Sequence, residues 1–238
     1  MTDIWSKADL HIHSNHSDGL GKIPEIMEYV ATETDMKVIA ITDHNTLEGA
    51  LFAQSLQDMY DFEVIVGEEI SSKSGHIIGL FLEKAVPAGL SAAETVACIA
   101  EQDGIAIIAH PFANRAFGPF GLESVGNAIY DTAFHALEVY NSSPYLIHAN
   151  RLAAKAFAGG QGIAATGGSD AHVVKAIGKG YTVFRGTTAQ DLRTSIDKLE
   201  TRAEAGKGGL SVALRYAFRY PQIRRLQSWN WERCRISK

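Results

Sequence analysis

At 238 residues, 46% hydrophobic and 21% charged, the chain has the size and balance of one large globular domain, or of one domain with a tail. A formal charge of −5 argues against bulk electrostatic capture of nucleic acid. Cys98 and Cys234 make no disulfide framework, no apolar run approaches the roughly 20 residues that span a bilayer, and the first residues lack the apolar core of a secretion signal. A cytoplasmic protein without a membrane segment is expected.

Short β-branched runs alternate with longer helical patterns. Residues 7–13 read as a strand, and Pro24 suits the first turn of a helix reaching about Thr34. Strands are expected at 38–42 and 62–70, with a helix at 47–60 between them. Residues 72–75 form a turn, and 76–82 return as a strand. Ser91 and Glu94 have the spacing of a capping box, opening a helix to about Gln102. A buried strand at 104–109 is followed by a loop rich in Gly, Phe and Asn at 112–126. Further strands are expected at 136–140, 163–166 and 180–184, and helices at 146–158 and 188–199. This alternation predicts a largely parallel sheet closed, or nearly closed, into a barrel.

Residues 1–200 therefore read as one domain and 201–238 as a linker and tail. The stretch 201–209 is polar and Gly-rich. From Ser211 to Lys238 there are six Arg and one Lys against a single acid, Glu232, with Tyr216, Phe218, Tyr220, Trp229 and Trp231 interleaved. Two short helices, broken at Pro221, are expected there. Such a tail suits docking on the acidic remainder or pairing of two subunits into a homo-oligomer. Capture of a nucleic acid backbone is the less favoured use.

Six of the nine histidines lie in short motifs at the ends of these runs. They read Asp9-Leu-His11-Ile-His13, Thr42-Asp43-His44-Asn45, Gly67-Glu68-Glu69 with His76 close behind, Ala109-His110-Pro111, and Ser169-Asp170-Ala171-His172. Imidazole with carboxylate is the ligand set of zinc, iron or manganese. Each motif alone suits a structural histidine equally well. Their joint occurrence at equivalent strand ends, where a barrel keeps its chemistry, points to one site for several ions. Residues two apart on a strand share a face, so His11 and His13 point together. His76 starts its strand, but the turn brings it back beside Glu69. Asp18, in Ser17-Asp18-Gly19, reads either as a turn former or as a further ligand.

These motifs resemble those of the polymerase and histidinol phosphatase (PHP) superfamily of metal-dependent phosphoesterases, in its short stand-alone branch, over about residues 7–200. The resemblance implies a distorted (βα)7 barrel with the metal site at the carboxyl ends of the strands. It implies two or three divalent ions, zinc, iron or manganese, held by His11, His13, Asp18, His44, Glu69, His76, His110, Asp170 and His172. The family's Gly-any-Glu pattern selects Glu69 over Glu68. The implied reaction is hydrolysis of a small phosphomonoester or phosphodiester by a hydroxide bridging two ions. Glu69 is then the bridging carboxylate, Asp170 and His172 join it as catalytic residues, and Asp18, His44 and His172 serve an outer ion.

Asp9 and Asp43 read either as acceptors that orient ligand imidazoles or as strand-end caps. Arg115, Asn45 and His16 are the substrate-binding candidates; Arg115 stands out because a guanidinium fork matches phosphate. Glu138 and Asn141 end a strand on the same rim and are weaker candidates for touching substrate. His135 and His148 fall in no motif and read as structural or exposed. A nuclease using the same ions is the alternative reading, and C–N bond hydrolysis, by an amidohydrolase, is a third.

Overall fold

The computed structural model describes residues 4–113, 125, 132–158 and 162–207. Arg115 and the tail 211–238 lie outside the described residues, as does most of the 112–126 loop. The described chain runs β1 (Trp5–Ile12), α1 (Ile23–Glu33), β2 (Met36–Ile41), α2 (Glu48–Leu56), β3 (Glu63–Ser72), β4 (Gly75–Leu80), α3 (Ala92–Ala100), β5 (Ile105–Ile108), β6 (Ala136–Asn141), α4 (Ile147–Ala158), β7 (Ala164–Gly168), β8 (Gly180–Arg185), α5 (Ala189–Asp197) and β9 (Arg202–Ala205). Among these, no helix is long and apolar enough to cross a membrane.

The strands form one mixed sheet in the order β7-β6-β5-β4-β3-β2-β1-β8-β9, curled into a nearly closed barrel. The sheet is less parallel than the alternation predicted. The β3–β4 hairpin inverts β4, so β4 pairs antiparallel with both β3 and β5. Strand β8 is inverted likewise and pairs antiparallel with β1 and β9. The remaining pairs, β1–β2, β2–β3, β5–β6 and β6–β7, are parallel. Strand β9 was expected as linker. Its polar, Gly-flanked sequence hides a strand held mainly by backbone pairing to β8.

Alternation along each strand sorts the apolar residues into two cores. Ala8, Leu10, Val38, Ala40, Ile65, Ile78, Leu80, Ile105, Ile107, Ala136, Ala164 and Phe184 fill the barrel, joined by Leu192 and Ile196 of α5. Ile39, Ile41, Val64, Val66, Ile77 and Ile108 face outward against Ile26, Met27 and Val30 of α1, Ala50 and Ala53 of α2, and Val96 and Ile99 of α3. The Ser91 cap forms as expected: its hydroxyl accepts from Glu94 N–H (3.3 Å), and the Glu94 carboxylate accepts from Ser91 N–H (2.8 Å).

Two irregularities re-aim the interior. Asp9 and Ile12 pair with Ile39 and Ile41, so β1 carries one extra residue there. This bulge lets His11 point inward although Leu10, its neighbour, also does. Strand β6 carries a second, between Glu138 and Tyr140.

The barrel closes where β7 meets β8 and β9 without a ladder. Thr182 Oγ1 accepts from Gly167 N–H and donates to Gly167 C=O, both at 2.9 Å. Thr201 Oγ1 donates to Ala165 C=O at 2.7 Å. A Cβ on Gly167 would meet the Tyr181 carbonyl oxygen at 2.5 Å, so glycine permits this approach. Above the seam, His13 N–H donates to Ala171 C=O (3.0 Å) and Ala171 N–H to His11 C=O (3.3 Å).

Thr182→Val should therefore strand both polar groups of Gly167 in a buried place. A loss of about 1–3 kcal/mol is expected in urea unfolding, with Thr182→Ser recovering most of it. A loss well under 1 kcal/mol would show that the hydroxyl does not hold the seam.

Candidate metal centre

The nine candidate ligands converge at one end of the barrel. His11 and His13 come from the end of β1, His44 from beyond β2, Glu69 from β3, His110 from beyond β5, and Asp170 and His172 from beyond β7. His76 pairs with Ser71 across the hairpin, which brings it to the same rim. Asp18 reaches in from the β1–α1 loop and is fully buried.

Glu69 is the hub. One oxygen lies 2.9 Å from His110 Nε2 and 3.0 Å from His76 Nδ1. The other lies 3.2 Å from His44 Nδ1, 3.3 Å from His13 Nε2 and 3.4 Å from His11 Nε2. Asp170 Oδ1 stands 3.3 Å from His13 Nε2 and 3.6 Å from His11 Nε2. Asp18 Oδ2 stands 3.0 Å from His172 Nε2 and 3.6 Å from His44 Nε2. Four overlapping groups result, each compact enough for one ion: His11, Glu69 and His110; His11, His13 and Asp170; His44, Glu69 and His76; and His13, Asp18, His44 and His172.

The donor set fits divalent metal ions. Among the described residues, both ring nitrogens of His13, Nε2 of His11, and Nδ1 of His76 and His110 are buried with no hydrogen-bond partner. Each such ring offers one lone pair, and a lone pair stranded this way is costly unless a partner or a cation takes it. Electrostatics agree. Burial raises the cost of ionising Asp170 and Glu69, yet the surrounding imidazoles hold both carboxyls well below their ordinary range. Burial opposes charge on His13, but the carboxylates of Asp170 and Glu69 outweigh it and push the ring up to about 10. Burial, aided by the charges of His13 and His76, takes His44 down to about 4. The cluster is short of positive charge, and divalent ions are one way to supply it. His44 and His76 keep 15% and 16% of their side chains exposed, more than the other seven, so the site opens on their side.

The neighbours of the cluster have other partners. Glu68 faces away from the cluster, accepts from Val86 N–H at 2.9 Å, and is pushed up to about 7 by burial. Asp9 and Asp43 orient no imidazole. Asp9 accepts from the backbone N–H of Ser169 (3.0 Å) and Gly178 (2.8 Å), and Asp43 from Ser14 N–H, Ser14 Oγ and Ser17 Oγ. They fasten loops, which is the capping alternative. Asn45 spends both ends of its amide on Ser71, 2.8 and 3.0 Å away, and so pins His44 beside Glu69. His16 lies against Glu48 and the Phe52 ring, outside the four ligand groups. His135 accepts from Ala106 N–H, and His148 is exposed. Asn45, His110 and Asp170 all adopt positive φ, so the rim holds its residues in a costly backbone conformation.

Glu138 is the residue that sequence reasoning undervalued. It is 2% exposed and meets His11 Nδ1 at 3.0 Å and His110 N–H at 2.7 Å. Its place on the inner face was readable, but the bulge that sets its reach was not.

A family model described as PHP-associated matches residues 148–201. The chain is 39% identical over 147 residues to uncharacterized protein MJ1587 of Methanocaldococcus jannaschii, covering 57% of this chain and 82% of that one. It is 33% identical over 86 residues to the phosphoribosyl 1,2-cyclic phosphate 1,2-diphosphodiesterase of Eggerthella lenta, covering 34% of this chain and 32% of that enzyme. Its fold is similar to a two-domain Bacteroides vulgatus protein containing a predicted PHP-like metal-dependent phosphoesterase, with a TM-score of 0.66 at 18% identity, over 85% of this chain and 65% of that one. Fold, ligand cluster and relatives agree, and the chain belongs to the PHP superfamily.

Proposed function

We propose that this chain hydrolyses phosphate esters, a small phosphomonoester or phosphodiester, with two or three divalent ions of zinc, iron or manganese as cofactor. The observation that carries the reading is the set of nine ligands in four overlapping groups around one buried carboxylate, Glu69. Such ions supply Lewis acidity, which acidifies water and offsets the charge of phosphoryl oxygens. Glu69 belongs to two of the groups, and Asp170 touches His11, His13 and His172. Together with His172 they form the reacting centre in this reading. Substrate enters past His44 and His76. The name of the Eggerthella lenta relative supports a diester, but the chain spans only a third of that enzyme, so a broad panel is the right test.

Purified protein should carry two or three transition-metal ions per chain. It should turn over p-nitrophenyl phosphate or its bis-ester, lose that activity on chelation, and regain it with zinc, iron or manganese. At most one ion per folded chain after supplementation, or turnover that survives metal removal, would overturn the reading. Preference for short oligonucleotides over both small esters would favour the nuclease alternative, and turnover of cyclic amides alone an amidohydrolase.

Neighbouring side chains on β3 face opposite ways, which gives a sharper comparison. Glu69→Gln should lose more than about 100-fold in activity, since even residues that only support metal ligands are worth roughly 10–100-fold. Glu68→Gln should stay close to the parent. Equal losses in two folded variants would show that the register of β3 does not matter to the reaction.

A further inference from the structure

We propose that Glu138 is a positioning residue that sets which nitrogen of His11 carries the proton. It holds the proton on Nδ1 and so presents the Nε2 lone pair to the cluster. The inference rests on the metal-site reading above, but its test needs no turnover.

A carboxylate has acceptors only, and every partner of Glu138 is a nitrogen. Oε1 lies 3.0 Å from His11 Nδ1, which must donate to it. Oε2 accepts from His110 N–H at 2.7 Å and from Asn141 Nδ2 at 3.0 Å. The orientation of Asn141 is fixed from its other end, where Oδ1 accepts from Ser143 N–H at 2.9 Å. The same Nδ2 lies 3.3 Å from Asp170 Oδ2. One carboxylate thus touches the side chain of one candidate ligand and the backbone of a second, and reaches a third through Asn141. Both oxygens are engaged, and Glu138 falls in none of the four candidate groups. Meanwhile, among the described residues, His11 Nε2 is buried without a hydrogen-bond partner, 3.4 Å from Glu69 and 3.6 Å from Asp170.

The surroundings are shaped for this contact. A Cβ on Gly168 would meet Glu138 Oε1 and His11 Cβ, each at 2.6 Å, so glycine there leaves the path open. The bulges beside His11 in β1 and after Glu138 in β6 turn the two side chains toward each other.

Glu138→Gln keeps the size and should still fail, for a specific reason. If the amide oxygen faces His11, the NH2 group confronts two donors, His110 N–H and Asn141 Nδ2. If the oxygen faces those two, the NH2 group donates to His11 Nδ1. The ring must then carry its proton on Nε2, aimed at Glu69 and Asp170, where a metal needs a lone pair. The second orientation satisfies more hydrogen bonds, so the substitution flips the tautomer.

The test uses full-length protein with ¹⁵N-labelled histidine, loaded with zinc. In the parent, His11 should show a protonated Nδ1 and a metal-bound Nε2 in two-bond ¹H–¹⁵N spectra. In Glu138→Gln that Nδ1–H signal should vanish, and zinc affinity should fall about 10–100-fold, with thermal stability little changed. Glu68→Gln, which alters a buried carboxylate on the other face, should leave both readouts as in the parent. A parent protein with the His11 proton on Nε2, or a folded Glu138→Gln with unchanged zinc affinity, would overturn the proposal. If Glu138→Gln does not fold, the parent spectrum alone decides. Absence of phosphate-ester turnover alongside the expected spectra would remove the hydrolase reading and leave the role of Glu138 standing.

Discussion

A single buried carboxylate sets the terms for this end of the molecule. Glu69 is 1% exposed and has five imidazoles within 3.4 Å, drawn from β1, β4 and the segments after β2 and β5. An isolated carboxylate in such a place would cost several kcal/mol in desolvation. It is tolerated because positive charge or a coordinating ion can sit on every side. The imidazoles in turn are tolerable only beside Glu69, Asp170 and Asp18. Each strand end is thus committed to the others, and the inner apolar residues below, from Leu10 to Phe184, fix the distances.

Much of this was readable from the amino acids. The carboxyl-end rule placed the motifs on one rim, the turn at 72–75 rescued His76, and side-chain alternation separated Glu69 from Glu68. The structure brings all nine candidate residues together, Asp18 included. What escaped was what the period of two does not encode. A bulge adds one residue without changing composition, so the turning of His11 and Glu138 toward each other had no sequence signal. Asp9 stands two residues before His11 and Asp43 directly before His44, but the oxygens of both meet backbone N–H groups and hydroxyls, and the choice between orienting a ring and capping a strand end needed those contacts. Asn45 was judged by its neighbour His44, whereas the backbone turn at φ 53° aims its amide at Ser71.

The seam between β7 and the β8–β9 pair has a consequence for the chain as a whole. Candidate ligands lie on both sides of the closure above it: His11 at the end of β1 with His13 just beyond, and Asp170 and His172 beyond β7. Asp18 and His172, 3.0 Å apart in space, are 154 residues apart in the chain. Anything that grips both therefore closes a very long loop. A covalent cross-link over ~100 residues restricts the unfolded chain by roughly 4.7 kcal/mol in the chain-entropy account. Ions shared across the seam would work as a reversible version of that staple. On this view bound ions would add to the stability of the fold as well as supply its chemistry.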